Sequence, residues 1–261
     1  MKSVKASRLR SLVGTLTWMT GIVLWLRAFI APLWAALAST AGWGGPPEQA
    51  SVGRAQILHA LRWLEAFLKG QRGELWRRIA VAPKTRTGVL QIICDASPWG
   101  LGCLLVDRGA IVAWLASEVT TTDESVLGAK KGDCASQAVF EALALLVAMR
   151  AWLSQWRDER TVALVRSDSL AALGALNKIN GGKDIINKVM REVALDLAEG
   201  SYIVDIVGHL PAHLNDLADA LSRMAAPGES GKSFPEQLKD IPETKVPARV
   251  RPWWRTLGDP T

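Results

Sequence analysis

Residues 89–119 read VLQIICDASPWGLGCLLVDRGAIVAWLASEV. Within them VLQIIC, LGCLLVD and GAIVAWLASEV are short β-like runs separated by Gly, Asp and Arg, which predicts three consecutive strands joined by tight turns. Downstream the period lengthens. ASQAVFEALALLVAMRAWLSQW at 135–156 is Ala/Leu-rich and helical. TVALVRS at 161–167 reads as a strand, 169–178 as a helix, NGGKD as a turn, 184–199 as a helix and SYIVDIV at 201–207 as a strand. GHLPAHLNDLADALSR at 208–223 supplies a polar loop and a last helix. The order β-β-β-α-β-α-α-β-α predicts an α/β fold, a mixed five-stranded sheet with helices on both faces.

Upstream, residues 8–39 form Leu-, Trp- and Ala-rich helices with a break expected near Pro32, because proline removes a helix hydrogen bond. AGWGGPPEQ at 41–49 is a Gly/Pro interruption, and a helix is expected over 50–69, with Ile57, Leu58, Leu61, Leu64 and Leu68 at helical spacing. His59 in that helix has no metal partner in sequence and is assigned a structural role. From Pro227 the chain reads as a proline-rich, charged linker whose RPWWR suits docking on another surface. The expected division is a helical region over 1–84, an α/β domain over 85–226 and a tail over 227–261.

Charge is unevenly spread. Residues 1–90 carry 13 Lys/Arg against 3 Asp/Glu, residues 91–224 carry 12 against 17, and the remainder 6 against 5, so the segments sum to +10, −5 and +1. A basic arm beside an acidic body suits a protein that holds a polyanion with one part and gathers carboxylates in another. The 261 residues, 49% of them hydrophobic, exclude a disordered chain. Three cysteines, Cys94, Cys103 and Cys134, form no CxxC pattern and fit a reducing compartment. MKSVKASRLR followed by an apolar run admits a signal peptide or membrane anchor as a competing reading, but Arg27 interrupts the run short of a membrane span. An intracellular location, cytoplasm or nucleus, without a membrane is therefore expected.

The acids fall at telling positions. Asp95 ends VLQIIC and Asp168 ends TVALVRS; if those strands are parallel neighbours, both carboxylates leave the same sheet edge, where open α/β sheets place their sites. Glu141 interrupts an apolar helix and Asp219 sits within LADAL, where a charge gains nothing from packing. Taken singly, Asp168 could cap a helix and Asp95 could open a turn. Gathered together, four carboxylates need cations, and oxygen ligands favour two Mg²⁺ ions, with Mn²⁺ as a substitute. Such ions suit activation of water and stabilisation of a phosphodiester's leaving oxygen.

CDASPWGLGCLL, QAVFEALALL, VRSDSLAAL and GHLPAHLNDLADALSR together resemble the ribonuclease H domain of LTR-type retroelement reverse transcriptases. The resemblance covers 89–224, and residues 8–80 resemble, more weakly, the thumb and connection that precede it. It implies a ribonuclease H-like fold and metal-binding catalytic carboxylates Asp95, Glu141, Asp168 and Asp219. It places His209 on a mobile-loop histidine that aids product release or proton transfer, and Asn215 on a polar position before the last Asp. It also implies Mg²⁺-dependent endonucleolytic cleavage of the RNA strand of RNA/DNA hybrids, beside a polymerase module. The alternative is a catalytically inactive nucleic-acid-binding scaffold. No adjacent Asp-Asp pair occurs, so polymerisation by this chain is not expected. A hybrid's 2′-hydroxyls are read by short polar side chains and backbone amides. Ser97, Trp99, Gly100, Ser136, Gln137, Ser169 and Asn215 are the candidate substrate contacts, although each also suits a turn or a cap.

Overall fold

A computed structural model describes residues 2–42, 44, 49–73, 75, 90–155, 162–200 and 203–260. The boundary expected at 84/85 lies outside the described residues, as do Trp156, Thr161, Ser201 and Tyr202. In chain order the elements are β1 (Ser3–Lys5), α1 (Ala6–Met19), α2 (Leu26–Ala38), β2 (Ser51–Gly53), α3 (Arg54–Leu68), β3 (Leu90–Ala96), β4 (Gly100–Asp107), β5 (Ala110–Glu118) and α4 (Thr121–Leu127). They continue as α5 (Gln137–Ala151), β6 (Val162–Ser167), α6 (Leu170–Lys178), α7 (Asp184–Glu199), β7 (Ile203–His209) and α8 (Asp216–Ser222). Two compact units result: Met1–Ile79 with Lys178–Glu199 and Thr256–Thr261, and Ala80–Asn177 with Gly200–Arg255. This partition departs from a simple N-terminal, middle and tail division, because α7 joins the first unit and most of the tail joins the second.

The first unit is helical, with a short antiparallel β1–β2 ribbon. Phe29, Trp63 and Phe67 interlock at its centre, with ring centroids 5.0–6.0 Å apart. The break expected near Pro32 is corrected: the chain turns at Thr20–Trp25, and Pro32 lies inside α2. A proline there cannot donate to the carbonyl four residues earlier. That carbonyl, on Ala28, instead accepts from the buried Asn187 side-chain amide of α7 at 2.8 Å, so the helix continues without a stranded acceptor.

The second unit holds a five-stranded sheet of order β5-β4-β3-β6-β7. β3, β4 and β5 form an antiparallel meander, while β6 and β7 add in parallel beyond β3. This is the ribonuclease H-like mixed sheet. On one face lies α5, buried almost all round, with Cys94 and Cys103 directed at its Ala144 carbonyl. Among the described residues only Cys134–Ala151 is long and apolar enough to cross a membrane by length and composition, and 67% of that window is buried inside the structure. On the other face α8 packs on β3, β4 and β5. Leu104, Trp114, Ala218, Leu221 and Leu238 form a second apolar cluster there.

The expectation of a free linker after Pro227 is also corrected. Leu238 is fully buried, the Phe234 ring packs tilted against Trp114 with centroids 5.1 Å apart, and the tail exchanges backbone hydrogen bonds with Trp114 through Pro242 and Thr244. Those bonds occupy polar groups on the outer side of an edge strand. RPWWR docks within its own unit: Arg150 lies 4.4 Å over the Trp253 ring and donates to the Trp253 carbonyl at 2.8 Å.

Gly102 shows how close α8 comes. A Cβ there would lie 2.2 Å from the Ala218 carbonyl oxygen and 2.6 Å from the Ser222 nitrogen, both backbone atoms. Gly102→Ala is therefore expected to destabilise the protein by about 3 kcal/mol. Gly174→Ala, within α6 and with nothing inside 4 Å, should stabilise by up to about 1 kcal/mol. Urea unfolding of the two variants should show opposite shifts in midpoint; equal midpoints would refute the tight α8 contact.

Candidate metal centre

Parallel pairing aligns Ile93 with Arg166, and continuing that register brings Asp95 level with Asp168 at one sheet edge. Glu141 reaches the same edge from α5. Carboxylate oxygens of Asp95, Glu141 and Asp168 all lie within 4.8 Å of one another. Asp95 and Glu141 are each 4% exposed. Burying two acids side by side disfavours their charged forms. Burial is the largest influence on Asp95, whose pKa is pushed up to about 7; the Ser222 hydrogen bond opposes the rise, while Asp219 and Asp168 add to it. Burial likewise pushes Glu141 up to about 9, reinforced by Asp95 and Asp168 and opposed by bonds from Ala96 and Ser167.

The neighbours orient these oxygens. Asn215 donates to Asp95 Oδ1 at 3.2 Å and to the Cys94 carbonyl at 3.3 Å, and Ser222 donates to Asp95 Oδ2 at 2.7 Å. Ser167 donates to Glu141 Oε2 at 3.4 Å. Asn215 Oδ1 is buried with no hydrogen-bond partner. A close set of oxygen donors, two of them buried acids with raised pKa values, fits a hard divalent cation.

Asp219 stands apart from the close trio. Arg223 donates to its Oδ1 at 2.6 Å, and Lys232 of the tail engages its Oδ2. Burial would raise the Asp219 pKa, but the bonds from Lys232 and Arg223 outweigh it and hold the group below the usual carboxylate range. Residue His209 is exposed and is the last residue of β7, its backbone in register with Ser167. The structure thus puts it at the end of a paired strand on the same edge.

The candidate substrate contacts separate. Ser97 is fully buried and spends its hydroxyl on the turn, donating to the Ser222 carbonyl at 2.6 Å and accepting from the amides of Trp99 and Gly100. Gly100 serves close packing, since a Cβ would meet the Ser222 carbonyl at 2.7 Å. Ser136 is buried and accepts from the Lys130 amide at 3.0 Å. Gln137 donates to the Ala96 carbonyl at 3.4 Å, and Ser169 accepts from Ala172 as an α6 cap. Trp99 is half-buried at the turn. Asn215 holds a carboxylate. Ser222, Ser167, Arg223 and Lys232 were not anticipated; only Arg223, one helical turn after Asp219, carried a sequence signal.

Strand order and strand directions are those of a ribonuclease H-like fold, and three acids cluster at one edge of its sheet. No family model matches the sequence, and no curated protein matches it. Among solved structures, the chain is similar to the ribonuclease H1 of the halophilic archaeon Halobacterium salinarum, at 22% identity and a TM-score of 0.36, over 52% of this chain and 96% of that one. It is also similar to the foamy viral protease-reverse transcriptase in complex with double-stranded DNA, at 17% identity and a TM-score of 0.28, over 94% of this chain and 42% of that one. The same foamy viral protein in complex with an RNA/DNA hybrid gives 13% identity and a TM-score of 0.29, over 96% of this chain and 28% of that one. The chain thus spans less than half the length of the viral proteins.

Proposed function

We propose that the chain is a divalent-metal-dependent endonuclease of the ribonuclease H type that cleaves the RNA strand of RNA/DNA hybrids, and that it derives from a retroelement reverse transcriptase. The observation that carries this reading is the mutual approach of Asp95, Glu141 and Asp168 within 4.8 Å at the end of parallel strands. Asp95, Glu141 and Asp168, with Asp219 as a fourth ligand, would hold Mg²⁺ or Mn²⁺. Bound there, the metal would lower the pKa of attacking water and neutralise charge on the leaving oxygen. Asn215, Ser222 and Ser167 fix the carboxylate oxygens in place, and His209 at the same edge is suited to move a proton. Residues 1–90, with 13 basic against 3 acidic side chains, would grip the nucleic-acid backbone. A polymerase module is the expected neighbour in the intact element, inside the cell.

The test is a labelled-hybrid cleavage assay on the full chain. Cutting of the RNA strand that requires Mg²⁺ and falls at least about a hundredfold in Asp168→Asn is expected, since a catalytic metal supplies several kcal/mol. Absence of Mg²⁺-dependent cutting, or cutting unchanged in the variant, would overturn the reading. A scaffold that binds hybrid without turnover is then the surviving alternative.

A further inference from the structure

The three clustered acids make no ion pair among the described residues, whereas the fourth carboxylate makes two. Arg223 takes Asp219 Oδ1 from the same helix, one turn on. Lys232 takes Oδ2 from outside the helix, and its position is built. Its backbone nitrogen donates to the Arg223 carbonyl at 3.3 Å. Gly231 before it passes so close to the Ala226 carbonyl that a Cβ would sit 2.7 Å away. Two residues later Phe234 is packed against Trp114, and Leu238 is fully buried. The tail therefore delivers an ammonium group to one acid of the site while anchored on both sides of it.

Resting on the metal-dependent reading above, we propose that Lys232 is a displaceable counter-ion: it holds Asp219 in the metal-free protein and must leave Oδ2 before a divalent cation can take that oxygen. Both are cations seeking the same lone pairs, so they compete. The lysine side chain is 46% exposed, which leaves it room to swing into solvent on a four-carbon stem. Arg223 stays on Oδ1 and keeps the carboxylate oriented. Metal occupancy of the fourth ligand is in this way coupled to the tail.

Calorimetric titration of the full chain with Mg²⁺ tests this without relying on catalysis. Lys232→Met should bind Mg²⁺ about fivefold more tightly than the wild type, the scale set by one partly exposed ion pair. Lys232→Arg should stay near the wild type, and Lys239→Met, an exposed tail lysine not engaged with Asp219, should do the same. Equal affinities in wild type and Lys232→Met, with both binding, would overturn the counter-ion role and leave the metal-centre reading intact. If neither binds Mg²⁺ at tens of millimolar, both fall. A gain of the same size in Lys239→Met would also overturn the proposal, because it would reflect net charge alone.

Discussion

Glu141→Gln is expected to raise the melting temperature of the metal-free protein at pH 8 on the order of 10 °C while lowering Mg²⁺-dependent hybrid cleavage at least about a hundredfold. The two effects share one cause. Glu141 is 4% exposed and its pKa stands at about 9, so the folded protein at pH 8 keeps a proton that an unfolded chain releases near pH 4. Between those values the folded state binds more protons than the unfolded one, so stability falls as pH rises. Asp95, at about 7, adds a second loss over the window from about pH 4 to pH 7. A glutamine cannot ionise, and its carbonyl oxygen can still accept from Ser167. It should therefore flatten the decline in EDTA and remove the Mg²⁺-induced gain in melting temperature expected of the wild type. Scanning calorimetry at pH 5 and pH 8, with and without Mg²⁺, measures all four states. A wild type whose metal-free stability does not fall over this range would refute the strain assigned to the buried acids.

Those acids were legible because each sits where an apolar pattern should continue. Asp95 and Asp168 directly follow the short β-like runs VLQIIC and TVALVRS, and Glu141 interrupts a helix with no polar face. Their supports were not legible. Ser222 and Asp95 are 127 residues apart, and a serine near a helix end has many ordinary uses. Ser97 suits a hybrid contact and a turn equally by its type, and its hydroxyl is spent on the turn, tying β3 to the Ser222 carbonyl. Residue type alone does not say which side of a turn faces solvent.

The same limit explains the backbone differences. The rule that proline breaks a helix is a statement about one missing bond, and at Pro32 a residue 159 positions from Ala28 fills the vacancy. Helix α7 buries Asn187, Glu192 and Asp196 among its apolar residues, and Glu192 accepts from the Thr256 amide and hydroxyl at 2.6 and 2.7 Å. Polar groups that find distant partners are invisible to a periodicity argument. Helix α4 is a different case. Thr120 and Asp123 form a reciprocal capping box, and Gly128 ends the helix in the left-handed conformation; both signals lie in TTTDESVLG.

The tail was misread for a related reason: its prolines and charges resemble a linker, while its few anchoring residues each find a built partner. Arg249 is the strongest of these. Its guanidinium donates to Asp123 Oδ2 at 2.9 Å, to the Ser117 hydroxyl at 2.7 Å and to the Glu118 carbonyl at 2.5 Å, with both charged side chains essentially inaccessible. Arg249→Met should destabilise the protein by about 3–5 kcal/mol, because it strands Asp123 as a buried charge that retains only its capping bond. Arg249→Lys keeps the charge but loses the fork, so it should fall between the two. Asp123→Asn made in the Arg249→Met background should recover part of the loss, since a neutral amide can still cap α4 and no longer needs a cation. Denaturant unfolding of the wild type, Arg249→Met, Asp123→Asn and the double variant closes the cycle, with Arg249→Lys measured beside them. The effect should also be local to the end of β5: Glu118 pairs with Gly100, and the Val119 amide donates to the Trp99 carbonyl at 2.9 Å, beside the turn that follows Asp95. Hydrogen exchange at Val119 should quicken in Arg249→Met, while exchange along β3 changes only with global stability. A loss under about 1 kcal/mol would mean that the tail rests on β5 through its apolar contacts and its hydrogen bonds to Trp114, without help from the buried ion pair.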